Sequence, residues 1–518
     1  MAKENNNFEL GPHTLSIDRR LHRINRDRLI ERLRNDSDLS SISNNSIVIV
    51  LLQGGKSHNN YDTDTEPVFR QESYFHWAFG VREPEFYGAI NLNDGRSFLF
   101  VPKLPASYSV WMGKLYTLED YRNRYNVDAV FYTDQVSLAT CQTDINLFIC
   151  RILKGWKTDI ILTLKGINTD SQLETFEAKF DGIEEFSVNS IILHRHMAEL
   201  RVFKTEEELA VIRYTNKISS EAHIEVMKSI RPGMTEYQLE SIFRHYCYFN
   251  GGARNLSYTC ICASGHNGAI LHYGHAAAPN DRTILDGDIC VFDMGCEYYC
   301  YSSDITCSFP SNGRFTSDQI MIYETVLKAN RAVLKACRPG ISWRDMHLLA
   351  ETIILQEMIR HNLLKGDLNA MMKARLGYIF MPHGLGHLLG LDVHDVGGYL
   401  DHCPRRSEEP GLRSLRTARI LEKGMVLTIE PGLYFIQAQL NTAKNDSELS
   451  EFIIWSEIER FSSFGGVRIE DNIVITEEGA ELLTNVPRTV QEIETLMAEG
   501  RKRSIQFPQQ AMIANGLK

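Results

Sequence analysis

Two domains of different class are predicted, an α/β domain over residues 1–200 and an α+β domain over residues 201–500, followed by a C-terminal tail at 501–518. Three observations carry this. A length of 518 residues exceeds what one hydrophobic core usually organises. Before residue 200, continuous apolar runs alternate with polar helical stretches. After it, capped helix starts lead into short β-prone runs divided by glycine-rich turns.

In chain order, SIVIVLL at 46–52, SFLFVP at 97–102 and DIILTLKG at 159–166 read as buried strands, with a helix opening near Thr117. Thr205 with Glu208, and Thr235 with Gln238, have capping-box spacing, in which the hydroxyl and the third residue's side chain satisfy each other's backbone N–H. Arg231-Pro232-Gly233 stops the first of these helices and Gly251-Gly252 the second. A long helical region covers about 317–364, and EIETLMAEGRKR closes the domain as a helix. The runs between them predict an antiparallel sheet that carries the candidate ligands.

Composition is that of a soluble globular chain. With 55 Lys+Arg against 66 Asp+Glu, the net charge of −11 offers no footprint for nucleic acid or an anionic membrane. The start, MAKENNNFELGPHTL, lacks the apolar run of a secretion signal, and the most apolar stretch, Ile47 to Leu52, is strand-length. A cytoplasmic location is expected. The 11 cysteines form no paired C-x2-C pattern, and Cys290, Cys296, Cys300 and Cys307 lie in strand-like sequence, so buried reduced thiols are expected.

Five residues of metal-ligand type fall in short segments of the second domain: Asp293 in VFDMG, Asp304 in SSDIT, His387 in MPHGLGH, Glu430 in TIEPG and Glu470 in GGVRIE. Four carboxylates and an imidazole suit hard or borderline dications such as Mn2+. Four negative charges match two such ions, which points to metal-assisted hydrolysis. Each acid alone is equally consistent with a cap or turn. A hairpin between Asp293 and Asp304, eleven residues apart, would bring them together.

The stretch MPHGLGHLLGLDVHD holds His383, His387 and His394 within twelve residues, where 17 histidines in 518 would place fewer than one. Glycines at 384, 386 and 390 oppose a regular helix, so loop or strand is expected there and not the two-histidine face of a helical zinc site. One imidazole could bind metal while others donate to substrate, and buried, satisfied core histidines are the alternative. Arg468, two residues before Glu470, could form an ion pair with it along a strand, or its guanidinium could orient the site. Arg413 and Arg416 could share a helical turn, as a solvated face or as an anchor for a substrate carboxylate. The run QLNTAKNDSELSEF reads as a polar surface excursion.

Taken together, FRQESYFHWAFGV, LRVFKTEEEL, YTCIC, LHYGHAAAPNDRT, EYYCYSSDITCSFP, FMPHGLGHLLGLDVHDVGGY, EPGLRSLRTAR and FGGVRIE closely resemble the eukaryotic prolidases. These are the Xaa-Pro dipeptidases of the pita-bread metallopeptidase superfamily, and the likeness runs from about Gly11 to about residue 500. It implies an N-terminal α/β domain for dimerisation and pocket shaping, a pita-bread catalytic domain, a homodimer, and two Mn2+ per subunit, with Co2+ or Zn2+ as other acceptable ions. Position by position, the resemblance makes Asp293, Asp304, His387, Glu430 and Glu470 the metal ligands, with Asp304 and Glu470 bridging. It places His272, His383 and His394 at the reaction centre, Glu430 in proton transfer and Arg416 on the carboxylate of the proline residue. Arg468 and Tyr258 are implied in supporting roles. Cys296, Ala263 and His266 depart from the family's usual residues without removing a ligand. Cleavage of Xaa-Pro dipeptides is the expected activity; an Xaa-Pro aminopeptidase acting on longer peptides, or a metal-free binding protein of the superfamily, are the alternatives.

Overall fold

The computed structural model describes residues 7–42, 46–133 and 147–504, so the predicted tail lies outside the described residues from 505 onward. Two compact units emerge. The first comprises Met1–Val211 together with Tyr299–Tyr301 and Gly390–Cys403; the second holds Ile212–Tyr298, Ser302–Leu389 and Pro404–Lys518.

In the first unit the apolar runs become a six-stranded sheet of β1 (Val48–Gln53), β2 (Tyr87–Asn91), β3 (Ser97–Val101), β4 (Ala129–Tyr132), β5 (Ile160–Thr163) and β6 (Ser187–Asn189). Their spatial order is β4-β3-β2-β1-β5-β6. Only β2 runs antiparallel to its neighbours. Every residue of β1 is buried, as a central strand covered on both faces requires. Alternate residues Ile49, Leu51, Phe98, Phe100 and Ile161 point to one face, where they meet Ile149 and Leu153.

Helices α1 (Arg20–Arg34), α2 (Ser73–Phe79), α3 (Leu118–Tyr125) and α4 (Ile192–Val202) complete this unit. Thr117 caps α3 through a reciprocal capping box with Asp120. The buried stripe of α1 includes His22, Asn25, Arg26, Leu29 and Leu33, spaced by three and four residues. Three of these are polar or charged groups that need partners in the interior, and Asn25 finds the Trp77 carbonyl at 3.2 Å. Arg26 finds the carbonyls of Ala78 at 2.8 Å and Asn126 at 2.7 Å, and His22 Nδ1 lies 3.1 Å from the Trp77 carbonyl with Nε2 3.0 Å from the Tyr299 hydroxyl.

The next helix, α5 (Glu206–Ser229), is capped as its sequence demands: Thr205 N–H donates to Glu208 at 2.9 Å and Glu208 N–H to the Thr205 hydroxyl at 3.3 Å. In α6 (Glu236–Gly251), Thr235 and Gln238 repeat the device, and Gly252 ends the helix at φ +64°. The second unit continues with three antiparallel strands, β7 (Ile261–Ser264), β8 (Ile289–Asp293) and β9 (Thr306–Pro310), in that order. After α7 (Ser317–Ala336) and α8 (Trp343–Arg360) come β10 (Val426–Ile429), β11 (Gly432–Tyr434), β12 (Gly466–Arg468), β13 (Asp471–Ile475) and β14 (Ala480–Leu482). β10, β13 and β14 form one antiparallel sheet, and β11 pairs with β12. None of the described helices is long and apolar enough to cross a membrane.

Two local expectations are corrected. QLNTAKNDSELSEF is not an irregular excursion but two short helices, Gln437–Asn445 and Ser447–Phe452, because Leu440, Ala443 and Leu449 give its polar surface a buried side. Cys300 is not in a strand; it is a turn residue at φ +62°, whereas Cys290, Cys296 and Cys307 are strand thiols. Among the described residues, Cys247, Cys290, Cys296 and Cys307 are buried free thiols.

Burial and the charges of Arg26 and Arg19 push His22 down to about 3, against the pull of the Trp77 carbonyl. An unfolded chain protonates histidine near 6.5. Because the folded value is the lower one, the unfolded chain binds the extra proton; this contribution to stability is complete above about pH 6.5 and is lost as pH falls towards 3. The thermal midpoint of the wild type is therefore expected to drop more steeply between pH 7 and pH 5 than that of His22→Gln, and parallel curves would count against this account.

Candidate metal centre

Asp293 ends β8, and antiparallel pairing sets it opposite Thr306. Asp304 lies two residues before that partner. The expected hairpin forms as the antiparallel pair β8–β9, and its connection is long: within it Cys296 and Glu297 pair with Leu256 and Asn255. The two acids are nonetheless joined, since the Tyr258 hydroxyl lies 2.5 Å from an oxygen of each. The backbone of Asp304 is gripped by Asn472, which accepts its N–H at 3.1 Å and donates to its carbonyl.

Glu430 and Glu470 follow β10 and β12, and their placement is shared. Asn330 on α7 donates to the carbonyls of Ile429 at 3.0 Å and Ile469 at 3.3 Å, fixing the peptide immediately before each acid. Glu470 N–H reaches the Thr306 carbonyl at 3.2 Å, and the Thr306 hydroxyl donates to Glu470 Oε2 at 2.7 Å. Ligand-bearing segments from two sheets are thus tied to one threonine.

His387 sits in an extended segment alongside β10, where its N–H donates to the Thr428 hydroxyl and its carbonyl accepts from Thr428 N–H, both at 3.0 Å. The glycines around it make this approach possible. A Cβ at Gly386 would collide with the Thr428 carbonyl oxygen, and one at Gly384 would come within 2.9 Å of the Ser414 carbonyl. His387 Nδ1 faces the Leu388 carbonyl at 3.0 Å, which assigns the ring proton there and turns Nε2 towards Asp304 at 3.2 Å and Glu430 at 3.4 Å.

Ligand atoms of Asp304, His387 and Glu470 lie within 4.8 Å of one another, and all three residues are buried. Asp293 joins them through Tyr258, and Glu430 through His387. The expected Arg468–Glu470 ion pair is replaced by another: Arg468 Nη2 donates to Asp293 at 2.7 Å, Nη1 to the Tyr434 hydroxyl at 2.8 Å and Nε to Thr306 at 3.0 Å. Its geometry is set by β12 pairing with β11, where Gly432 stands opposite Arg468 and leaves room for the Tyr434 ring. One guanidinium against four carboxylates leaves three negative charges uncompensated within a buried cluster. Burial and mutual repulsion accordingly push Glu430 up to about 7 and raise Asp304 and, strongly, Glu470. Burial lowers His387, but its bond to Asp304 and the charge of Glu430 win and raise it. An oxygen-rich, electron-donating cluster with this charge deficit fits divalent cations.

The remaining predicted residues divide. His383 Nδ1 lies 2.8 Å from the Gly384 carbonyl and Nε2 3.0 Å from the Tyr434 hydroxyl, so both nitrogens already have partners; burial and Arg468 push it down to about 3. His272 is lowered by burial and by the charges of Arg468 and Arg416, which puts those three residues in one neighbourhood. Arg416 lies beyond the short turn Leu412–Ser414 that contains Arg413, so the two arginines do not share a helical turn. His394 falls in the 390–403 segment, which belongs to the first unit. Sequence reasoning missed Tyr434, Thr306, Thr428, Asn330 and Asn472, whose partners lie across strands or helices and have no fixed spacing along the chain.

Gly386→Ala would have to displace β10 or His387, and is expected to lower stability by about 1–3 kcal/mol. Thermal denaturation read beside bound metal per chain checks this; a variant as stable as wild type would show that the close approach is dispensable.

The family model described as metallopeptidase family M24 matches residues 210–477, and the aminopeptidase P N-terminal domain matches residues 22–143. The chain is 55% identical to the Xaa-Pro dipeptidase of Homo sapiens, covering 95% of this chain and 96% of the human one, and 54% identical to that of Mus musculus, covering 96% and 98%. Among solved structures, Escherichia coli aminopeptidase P with the inhibitor Pro-Leu superposes with a TM-score of 0.73 at 30% identity, over 94% of this chain and 100% of that one. With the ligand-bearing domain inside the matched region and relatives aligned almost end to end, the chain belongs to metallopeptidase family M24, the pita-bread superfamily, with an aminopeptidase P-type N-terminal domain.

Proposed function

We infer that this protein is an Xaa-Pro dipeptidase, a metal-dependent hydrolase that releases C-terminal proline from dipeptides. The observation that carries the reading is the buried convergence of Asp304, His387 and Glu470, with Asp293 and Glu430 attached, in a chain 55% identical to Xaa-Pro dipeptidase over nearly its whole length. Those five residues would hold two dications, Mn2+ by preference and Co2+ or Zn2+ as substitutes. When bound, the ions supply Lewis-acid polarisation of the peptide carbonyl and acidify a shared water. Two dications would also turn a deficit of three negative charges into a net +1, which favours an anionic group at the centre.

The protein's own groups then divide the remaining work. Glu430 has the most accessible side chain of the cluster, 18% exposed against 4% for His387 and 7% for Asp304, and it is the group assigned to pass a proton to the leaving prolyl nitrogen. His272, kept neutral by burial and by Arg468 and Arg416, can donate an N–H to the carbonyl oxygen without adding charge. Arg416 takes the substrate carboxylate and so measures length, because a third residue would carry that charge away from its partner. Arg468 and Tyr258 hold Asp293 in place. His383 acts on substrate only if it exchanges its Tyr434 partner, and the role of His394 rests on its motif. A prolyl amide offers no N–H, so the site needs no acceptor there, which disfavours peptidases that depend on that donor. We further assign a homodimeric, cytoplasmic protein, from the family pattern.

Asp304→Asn is expected to bind less metal and to lose at least about a hundredfold in kcat while remaining folded; full activity would remove Asp304 from the metal site. Substrate length is read by comparing kcat/KM on Gly-Pro and Gly-Pro-Ala. The dipeptide should be preferred, and the preference should collapse in Arg416→Ala; a wild-type preference for the tripeptide would favour an aminopeptidase instead.

A further inference from the structure

Glu430 and Glu470 face each other across a break in a strand ladder. Ile429 pairs with Asp471 where β10 meets β13, and Gly432 pairs with Arg468 where β11 meets β12. Two residues separate these pairs on each strand, so the register crosses the break without a slip and sets Glu430 opposite Glu470 and Pro431 opposite Ile469. Like charges directly opposite one another push strands apart. The N–H groups of this acidic pair turn away from each other, Glu430 to the Leu385 carbonyl at 2.8 Å and Glu470 to the Thr306 carbonyl at 3.2 Å. Holding the strands together here falls to the next pair, in which Ile469 N–H reaches the Pro431 carbonyl at 3.3 Å. The return bond of that pair cannot form, because proline has no N–H. The carbonyl of Ile469, a fully buried residue, thus loses its ladder donor.

Asn330 on α7 takes that place. Its side chain is fully buried, and Nδ2 donates to the Ile469 carbonyl at 3.3 Å and to the Ile429 carbonyl on the facing strand at 3.0 Å. An amide turned over would present its oxygen to both carbonyls. Arg331 opposes this, since its Nη1 donates to Asn330 Oδ1 at 2.8 Å and to Asp471 Oδ2 at 2.7 Å. Asp471 is itself the ladder partner of Ile429, and Arg488 bonds its other oxygen at 2.7 Å as well as the Glu470 carbonyl. We propose that Asn330 is a positioning residue that stands in for the N–H Pro431 lacks and so sets the spacing of Glu430 and Glu470, with Arg331 holding its amide in the donating sense. The proposal rests on the reading of those two glutamates as metal ligands.

Returning the missing donor tests it. Binding of Mn2+ alone to the full-length chain is measured by equilibrium dialysis for Asn330→Ala, Arg331→Met, Pro431→Ala, the Asn330→Ala/Pro431→Ala pair and Glu470→Gln, with metal-free thermal midpoint and kinetics on Gly-Pro recorded for each. Asn330→Ala is expected to hold Mn2+ about ten- to a hundredfold more weakly, and Arg331→Met to lose less in the same direction. Adding Pro431→Ala to Asn330→Ala should recover part of the affinity, because the new backbone N–H can reach the Ile469 carbonyl through the space the amide vacates. A general loss of packing would not be repaired in this way. Wild-type affinity in a folded Asn330→Ala, or losses that multiply in the double variant, overturn the proposal while leaving both glutamates as ligands. Should Asn330→Ala not fold, wild-type affinity in Arg331→Met overturns it. Wild-type Mn2+ affinity and stoichiometry in Glu470→Gln would instead overturn the reading of the glutamates, and the proposal with it.

Discussion

Four carboxylates brought into a protein interior around a single guanidinium is the constraint from which the rest of the second unit follows. Arg468 pairs with Asp293 and His387 lies against Asp304 and Glu430, which still leaves the four carboxylates in excess of the cations around them. Such a group is tolerable only if its backbone is held rigidly and cations complete it. Rigidity is visible in how many small hydrogen-bonding residues are spent on it: Thr306, Thr428, Asn330 and Asn472 each tie a ligand-bearing segment to a neighbour.

The same economy governs the second layer of charge. Asp471, next to Glu470 on the chain, is also buried, but Arg488 and Arg331 reach it at 2.7 Å and hold its carboxyl below the usual range despite burial. Two adjacent acids therefore behave in opposite ways: arginines hold Asp471 ionised, while burial and neighbouring carboxylates raise Glu470. Neighbouring cations decide the difference, not the residue type.

In the first unit, two buried cations have identifiable tasks. Arg26 joins the carbonyl of Ala78, in the last turn of α2, to that of Asn126, just after α3, and Arg201 joins two carboxylates contributed by residues nearly two hundred positions later in the chain. The mixed sheet supplies a stiff base, since β1 is buried along its whole length and its neighbours present a continuous apolar face. The α/β unit is thus both a core in its own right and the holder of the segment that carries His394.

Local rules made much of this legible. Capping boxes at Thr117, Thr205 and Thr235 opened helices where they should, because such signals act within four residues. The apolar runs became strands, and glycine at 384 and 386 kept His387 off a helix. The five ligand types could be picked from sequence because an acid or histidine at a strand margin is unusual chemistry wherever it folds. What sequence could not decide was pairing. Arg468 and Glu470 lie two apart, yet the arginine turns to Asp293, 175 residues away, since strand register and the space beside Gly432 fix its direction. Tyr434 carried no signal at all, and His394 joined the first unit through contacts that no periodicity encodes. Identity and spacing along the chain determined which groups could do the chemistry. Only three-dimensional packing decided which of them face one another, because hydrogen bonds and charges act through distance in space and not along the chain.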